Sequence, residues 1–257
     1  MRASSDRSIR FVFDSVADAY VSGRPDMPLE AVVGGAEAAG VPRGARVLEI
    51  GAGAGQLTGT LVEAGFDVVA LEPGAELRRR AAERVPAATF VSQTFEEFEP
   101  EGRFDAIFSS NAFHWLEPTM GYAKAADLAD ALVLIWNTPL IAEPELRRRV
   151  QEDVMIPHGS TFPTEEQDVR QLVAEESTIG REELRSSGRY EMPWWRLYER
   201  TLEYTPRRYV DLIGSMGGVA SSPDRVEITA ELTPVLGAEP FEVIDLVYVV
   251  AARVAGA

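Results

Sequence analysis

Val47-Leu-Glu-Ile-Gly-Ala-Gly-Ala-Gly-Gln-Leu-Thr58 decides how the chain reads: a short apolar run passes into three glycines at alternate positions and then into a helical pattern. That order, strand then glycine loop then helix, is the opening of a nucleotide-binding βαβ unit. A side chain at Gly51 or Gly53 would keep a ligand from the backbone, and the amides at the helix start are donors for a polar group. A dinucleotide fingerprint would carry glycine at its sixth position, where this chain has Gln56, so the pattern Gly51-x-Gly53-x-Gly55 argues against a nicotinamide cofactor.

Outward from the loop, Val68-Val-Ala-Leu-Glu-Pro73 closes a second apolar run on Glu72, about twenty residues past the first glycine. Adjacent parallel strands end on the same edge of a sheet, so a carboxylate there can accept both hydroxyls of a ribose. A strand-end carboxylate facing a crevice carries little packing, and its removal is expected to spare the fold. Further β-type runs follow at Ala88–Val91, Phe104–Phe108 and Ala131–Trp136, with helical segments from about Gly55 to Gly65 and from Gly74 to about Arg84. This alternation predicts a parallel sheet covered on both faces by helices.

After Trp136 the alternation lapses into Glu- and Arg-rich fragments punctuated by prolines, which predicts an inserted helical cap over 138–193. Trp195–Tyr204 and Phe241–Arg253 read as two more strands. Thr205-Pro206 and Ser222-Pro223 each read as an N-cap followed by proline at the first helical position. The expected organisation is thus 1–137 as an amino-terminal lid segment and cofactor-binding core, 138–193 as a substrate-covering cap, and 194–257 as the remaining core.

The 257 residues carry 41 acidic and 25 basic side chains, a formal charge of −16, which disfavours a nucleic-acid partner. No cysteine is present, so disulfides, thiolate metal sites and cysteine nucleophiles are excluded. No Asp, Glu and His cluster stands at metal-ligand spacing, and no metal is expected. Met1–Arg10 is polar, and the longest apolar runs are shorter than a bilayer span, so a cytoplasmic protein without membrane association is expected.

These motifs together resemble the class I S-adenosylmethionine-dependent methyltransferases, in particular the small-molecule (type 11) group similar to trans-aconitate methyltransferase. The resemblance rests on Ala17-Asp-Ala-Tyr-Val-Ser-Gly-Arg-Pro-Asp-Met-Pro28, Gly51–Thr58, Leu71-Glu-Pro73, Gln93-Thr-Phe-Glu96 and Phe104–Leu116, whose Phe-His-Trp ending is typical of the group. The group's Pro-Gly-Gly turn before the fifth strand is replaced by Asp127-Leu-Ala-Asp130. The resemblance implies an α/β, Rossmann-like, doubly wound and mostly parallel sheet of seven strands, with S-adenosylmethionine as cofactor and S-adenosylhomocysteine as product. It implies Glu49 on the methionine amino group, Gly51, Ala52, Gly53 and Gly55 beneath the cofactor, Glu72 and Pro73 at the ribose, and Thr94 and Phe95 flanking adenine. Asn111 would lie near the cofactor, and Tyr20 and Arg24 would cover its methionine end, Arg24 pairing with the carboxylate.

His114 and His158 are the two histidines. His114 after the fourth strand, beside Trp115, is a candidate general base or a packing residue, because in-line methyl transfer gains much from alignment alone. His114, Trp115, His158, Trp194, Trp195 and Tyr198 are candidates to line an acceptor pocket, with packing, for the rings after the cap that of cap against sheet, as the alternative. The expected function is methyl transfer to O, N or C of a small-molecule acceptor. The alternative is a protein of the same fold that binds the cofactor but cyclises, rearranges or senses a ligand.

Overall fold

The computed structural model describes residues 7–256; the first six residues of the amino-terminal stretch read above lie outside it. Its sheet has seven strands: β1 (Arg46–Ile50), β2 (Asp67–Leu71), β3 (Thr89–Val91), β4 (Ala106–Ser110), β5 (Ala131–Ile141), β6 (Trp194–Tyr204) and β7 (Phe241–Arg253). Their order is β3-β2-β1-β4-β5-β7-β6, with β7 antiparallel to both neighbours and the other pairs parallel. The doubly wound, mostly parallel sheet expected from the sequence is therefore present. The order of strand addition reverses between the parallel neighbours β1 and β4, where the loops leaving the two strands part and open a crevice at their carboxyl ends.

The helices are α1 (Ala17–Gly23), α2 (Leu29–Ala38), α3 (Gln56–Glu63), α4 (Ala75–Arg84), α5 (Pro118–Leu128), α6 (Pro144–Arg149), α7 (Glu166–Ser186), α8 (Pro206–Gly214), α9 (Gly217–Ala220) and α10 (Arg225–Leu236). Alternate residues of each strand point to opposite faces, so the sheet has two cores. Val47, Phe108, Val133 and Val249 pack with Val32 of α2 and Leu57 and Leu61 of α3 on one face. Leu48, Ile107, Leu132, Leu134 and Leu246 pack with Tyr122 of α5 and Val169, Val173 and Leu184 of α7 on the other.

A third apolar cluster sits beyond the edge of the parallel sheet. β5 pairs with β4 only from Leu132 to Ile135, but continues against β7 to Ile141, so β5, β7 and β6 project past the crevice as an antiparallel extension. On it, Ile141, Tyr204 and Val243 pack against Leu146 of α6, Val150 and Val154 of the π-helical turn Val150–Met155, Leu212 and Ile213 of α8, and Ile228 and Leu232 of α10. The cap expected over 138–193 thus divides. Its first part joins α8–α10, from the segment expected as core, to form a lid. α7 instead lies on the sheet, because Val169, Val173 and Leu184 form an apolar stripe at helical spacing that the sheet buries. Thr205 caps α8 through Arg208 N at 3.3 Å, as read. Ser222 does not cap a helix at Pro223; its hydroxyl accepts from Asp224 N at 3.1 Å and α10 starts at Arg225.

Candidate cofactor and acceptor site

The glycine loop is shaped by sterics at two positions. Gly51 and Gly53 have φ of +71° and +57°, and a Cβ on them would lie 2.5 Å from the Ala112 Cβ and 2.7 Å from the Tyr20 hydroxyl. Gly55, also left-handed, precedes the first turn of α3. The loop amides are partly committed: Gly51 N and Ala52 N donate to Leu71 O, each at 3.0 Å, which ties the loop to the end of β2.

Two carboxylates flank this loop. Glu49, 1 % exposed, accepts from the Thr58 hydroxyl at 2.6 Å, and burial pushes its carboxyl up to about 8. Glu72 is 8 % exposed and accepts from Gly53 N and Gly74 N, each at 2.8 Å; burial pushes it up to about 7 against the pull of these two bonds. Glu72 therefore braces the loop, which revises the expectation that its removal would spare the fold. Each oxygen keeps a lone pair for a further donor.

The amino-terminal strap closes the site from above. The Arg24 guanidinium lies 4.5 Å from the Tyr20 ring centroid, and Phe13 meets Tyr20 edge-on at 6.0 Å. Arg24 donates from Nε to the Ser215 hydroxyl at 3.3 Å and from Nη2 to Ser215 O at 2.9 Å, fastening the strap to the end of α8. Beneath lies a pocket of about 480 Å³, counting space open to solvent. Tyr20, Arg24, Glu49, Gly51, Ala52, Gln56, Ser110, Asn111 and Asn137 line it, and Leu212 and Met216 of the lid cover it.

The wall beyond the end of β4 and along the second half of β5 is a polar chain. Asn111, held at φ +52°, donates to Asn137 Oδ1 at 2.8 Å, and Asn137 donates to Asp245 Oδ1 at 2.8 Å. Asp245 is fully buried and takes Arg200 Nε and Nη2 at 3.0 and 2.9 Å; Arg200 also donates to Asp26 O of the strap. A carboxylate only accepts, so Asp245 fixes the Asn137 amide with its oxygen toward Asn111.

His114 stands beside this wall. Its Nδ1 accepts from Trp136 Nε1 at 3.2 Å, and burial lowers its pKa to about 4. With Nδ1 taken by Trp136, any hydrogen bond the ring donates comes from Nε2. Trp115 packs edge-on to Phe13 at 6.2 Å and so supports the strap.

Other expected site residues lie elsewhere. His158 binds Glu231 Oε2 at 3.0 Å, with Asp224 at 3.7 Å, tying the loop after the π-helical turn to α10 within the lid, and it is not among the residues lining the pocket. Trp194 and Tyr198 pack toward α2, where the Tyr198 hydroxyl sits on Gly34, and Trp195 is 42 % exposed under Arg181. Successive residues of β6 point to opposite faces, so these rings form no common pocket. Phe95 is 2 % exposed in the core on the α5 face, and the Thr94 hydroxyl donates to Glu97 at 3.0 Å. Pro73 follows β2 and its carbonyl accepts from Arg78 at 3.1 Å.

Sequence reasoning missed Gln56 as a lining residue, Asn137, Ser215 and the Arg200–Asp245 pair. Asp245 carried a signal, being one carboxylate inside the apolar run Val243–Ala252. Ser215 and Arg200 carried none.

The pocket fits an S-adenosylmethionine-type cofactor by its own chemistry. The glycine cradle has no room for a Cβ, two buried carboxylates await donors, and Gln56 Nε2 is buried without a partner among the described residues. Residues 47–132 match the family model described as a methyltransferase domain. An uncharacterised methyltransferase of Mycobacterium tuberculosis is 36 % identical over 138 residues, which are 52 % of this chain and 55 % of the relative. One of Bacillus thuringiensis is 38 % identical over 86 residues, 32 % of this chain and 41 % of the relative. The chain spans about half or less of the length of these curated relatives. Among solved structures, a candidate type II methyltransferase from Anaeromyxobacter dehalogenans superposes with a TM-score of 0.62 at 18 % identity, over 90 % of this chain and 97 % of that one. A candidate antibiotic-pathway methyltransferase from Anabaena variabilis gives 0.52 at 17 % identity, over 88 % and 98 %. Both show the fold. Residues 47–132 thus match a methyltransferase domain, and the cofactor such a domain implies is S-adenosylmethionine.

Proposed function

We propose that the protein transfers a methyl group from S-adenosylmethionine to O, N or C of a small-molecule acceptor, within the group resembling trans-aconitate methyltransferase. The observation that carries this reading is the pocket between the glycine loop and the Asn111–Asn137 wall, roofed by Leu212 and Met216 of the lid. Side chains from the strap, the glycine loop, the asparagine wall and the lid surround this space, as a small-molecule site requires. The charge of −16 also opposes a nucleic-acid acceptor. No helix among the described residues is long and apolar enough to cross a membrane.

The cofactor supplies a methyl on a sulfonium, ready for displacement. Glu49 would accept from the cofactor's ammonium, Glu72 from its ribose, and Gly51 and Gly53 would let the backbone pass close beneath. The lid and the strap exclude water, and the asparagine wall is held rigid by Asp245. His114, neutral and with Nδ1 committed, orients its surroundings through Nε2–H instead of abstracting a proton. Acceleration then comes mainly from alignment of acceptor and methyl. The test is a screen of metabolites with methyl-labelled S-adenosylmethionine, following label transfer and S-adenosylhomocysteine. Transfer to a small acceptor supports the reading, whereas binding without turnover across the panel would favour a sensing or rearranging role.

A further inference from the structure

Most polar side chains around the pocket already have partners. Thr58 serves Glu49, two amides serve Glu72, and Asn111 and Asn137 serve each other and Asp245. Gln56 differs. It is 6 % exposed, it lines the pocket, and its Nε2 is buried with no partner among the described residues. A buried amide donor left unmatched is a standing cost to the fold, and such groups persist where a ligand completes them. The position is also where a dinucleotide loop would carry glycine, so a side chain here changes what the loop can recognise.

Arg24 lines the same pocket and is likewise incompletely used. Its Nε and Nη2 donate to the neutral Ser215, which leaves Nη1 without a hydrogen-bond partner among the described residues. One cation and one amide donor from residues lining a shared space match the two oxygens of a carboxylate. Glu49, on the same pocket, matches an ammonium. Together the three side chains complement the two charges of an amino-acid end.

We propose that Gln56 is a cofactor-binding residue, donating to the carboxylate at the amino-acid end of S-adenosylmethionine beside Arg24. The assignment rests on the cofactor reading above. It predicts that selectivity for a carboxylate-bearing ligand depends on a glutamine outside the three glycines.

The test titrates S-adenosylhomocysteine and its decarboxylated analogue, S-adenosyl-3-thiopropylamine, into wild type, Gln56→Leu and Gln56→Glu by calorimetry. Wild type should prefer S-adenosylhomocysteine. Gln56→Leu should weaken S-adenosylhomocysteine by roughly 10- to 150-fold, the range for a hydrogen bond to a charged group, and change the analogue by less than about 3-fold. Gln56→Glu should weaken S-adenosylhomocysteine further, by repulsion, and spare the analogue. Melting of ligand-free Gln56→Leu should equal or exceed wild type, because an unmatched donor has gone; Gln56→Met replaces it if leucine does not fold. Equal losses for both ligands, or no loss for either, would overturn the role of Gln56 and leave the cofactor reading standing. Failure of wild type to bind S-adenosylhomocysteine would overturn both.

Discussion

Replacing Glu49 by glutamine tests the electrostatics of the site most directly. Glu49 is 1 % exposed and its carboxyl is pushed up to about 8, so at pH 7 about nine-tenths of the ligand-free protein carries it protonated. An ammonium placed against it favours the carboxylate, so cofactor binding at pH 7 should expel close to one proton. Affinity should then rise by roughly tenfold per pH unit from 6 toward 8 and level off above. Stability runs the other way. A carboxyl whose pKa is raised from 4.5 to about 8 by folding holds its proton more tightly in the folded state. Its contribution is complete below 4.5 and is lost as pH rises through about 8, a loss on the order of 4 to 5 kcal/mol in the ligand-free protein. In Glu49→Gln the amide cannot ionise, so this loss should vanish and the ligand-free variant should melt higher than wild type at pH 8.5. Calorimetric titration of S-adenosylhomocysteine at pH 7 in phosphate and in Tris, whose ionisation enthalpies differ, counts the released protons. Equal release by wild type and Glu49→Gln, together with parallel pH–melting curves, would refute the assignment of Glu49 as the buried partner of the ammonium.

Glu72→Ala should weaken S-adenosylhomocysteine by roughly 10- to 150-fold in a direct titration. It should also lower ligand-free stability by about 1 to 3 kcal/mol in denaturant melts, since Gly53 N and Gly74 N lose their acceptor. Asp245→Ala strands the Arg200 cation and the Asn137 amide, and should cost about 3 to 5 kcal/mol, with Asp245→Asn recovering part of it. The imidazole of His158 has its pKa raised by its hydrogen bond to Glu231, so the stability it adds to the lid is full below its ordinary value and is lost as pH rises through the raised one. Protection of α10 amides relative to their intrinsic exchange rates should therefore fall from pH 6 to pH 9 in wild type and stay flatter in His158→Ala, whose S-adenosylhomocysteine affinity should match wild type.

The sequence alone was enough for the elements whose signals are local. Alternate glycines after Val47–Ile50 marked the loop between strand and helix, and the left-handed φ values at Gly51, Gly53 and Gly55 add a second reason for glycine there. Apolar runs of strand length separated by helical patterns led to the seven strands, and Phe241–Arg253 matched its strand at both ends. Glu49 and Glu72 were legible because strand ends in a parallel sheet converge on one edge, so their place follows from connectivity.

What the chain does beyond that edge was decided by tertiary structure. Asn137 and Asp245 are 108 residues apart, and only the antiparallel register of β5 with β7 brings them together. The lid depends on the same pairing: β5, β6 and β7 outrun β4, so apolar surface from two distant segments, 144–155 and 206–236, must be buried over the crevice. α7 reads as charged in sequence, yet its thin apolar stripe is enough to hold it on the sheet. Trp194, Trp195 and Tyr198 look like one cluster because they are neighbours in sequence, but a strand sends neighbours to opposite faces, and which face meets a helix is set by the register of the whole sheet. Sequence patterns specify backbone conformation and strand ends through short-range sterics and periodicity; partners across the sheet are chosen by register and burial, which no local pattern encodes.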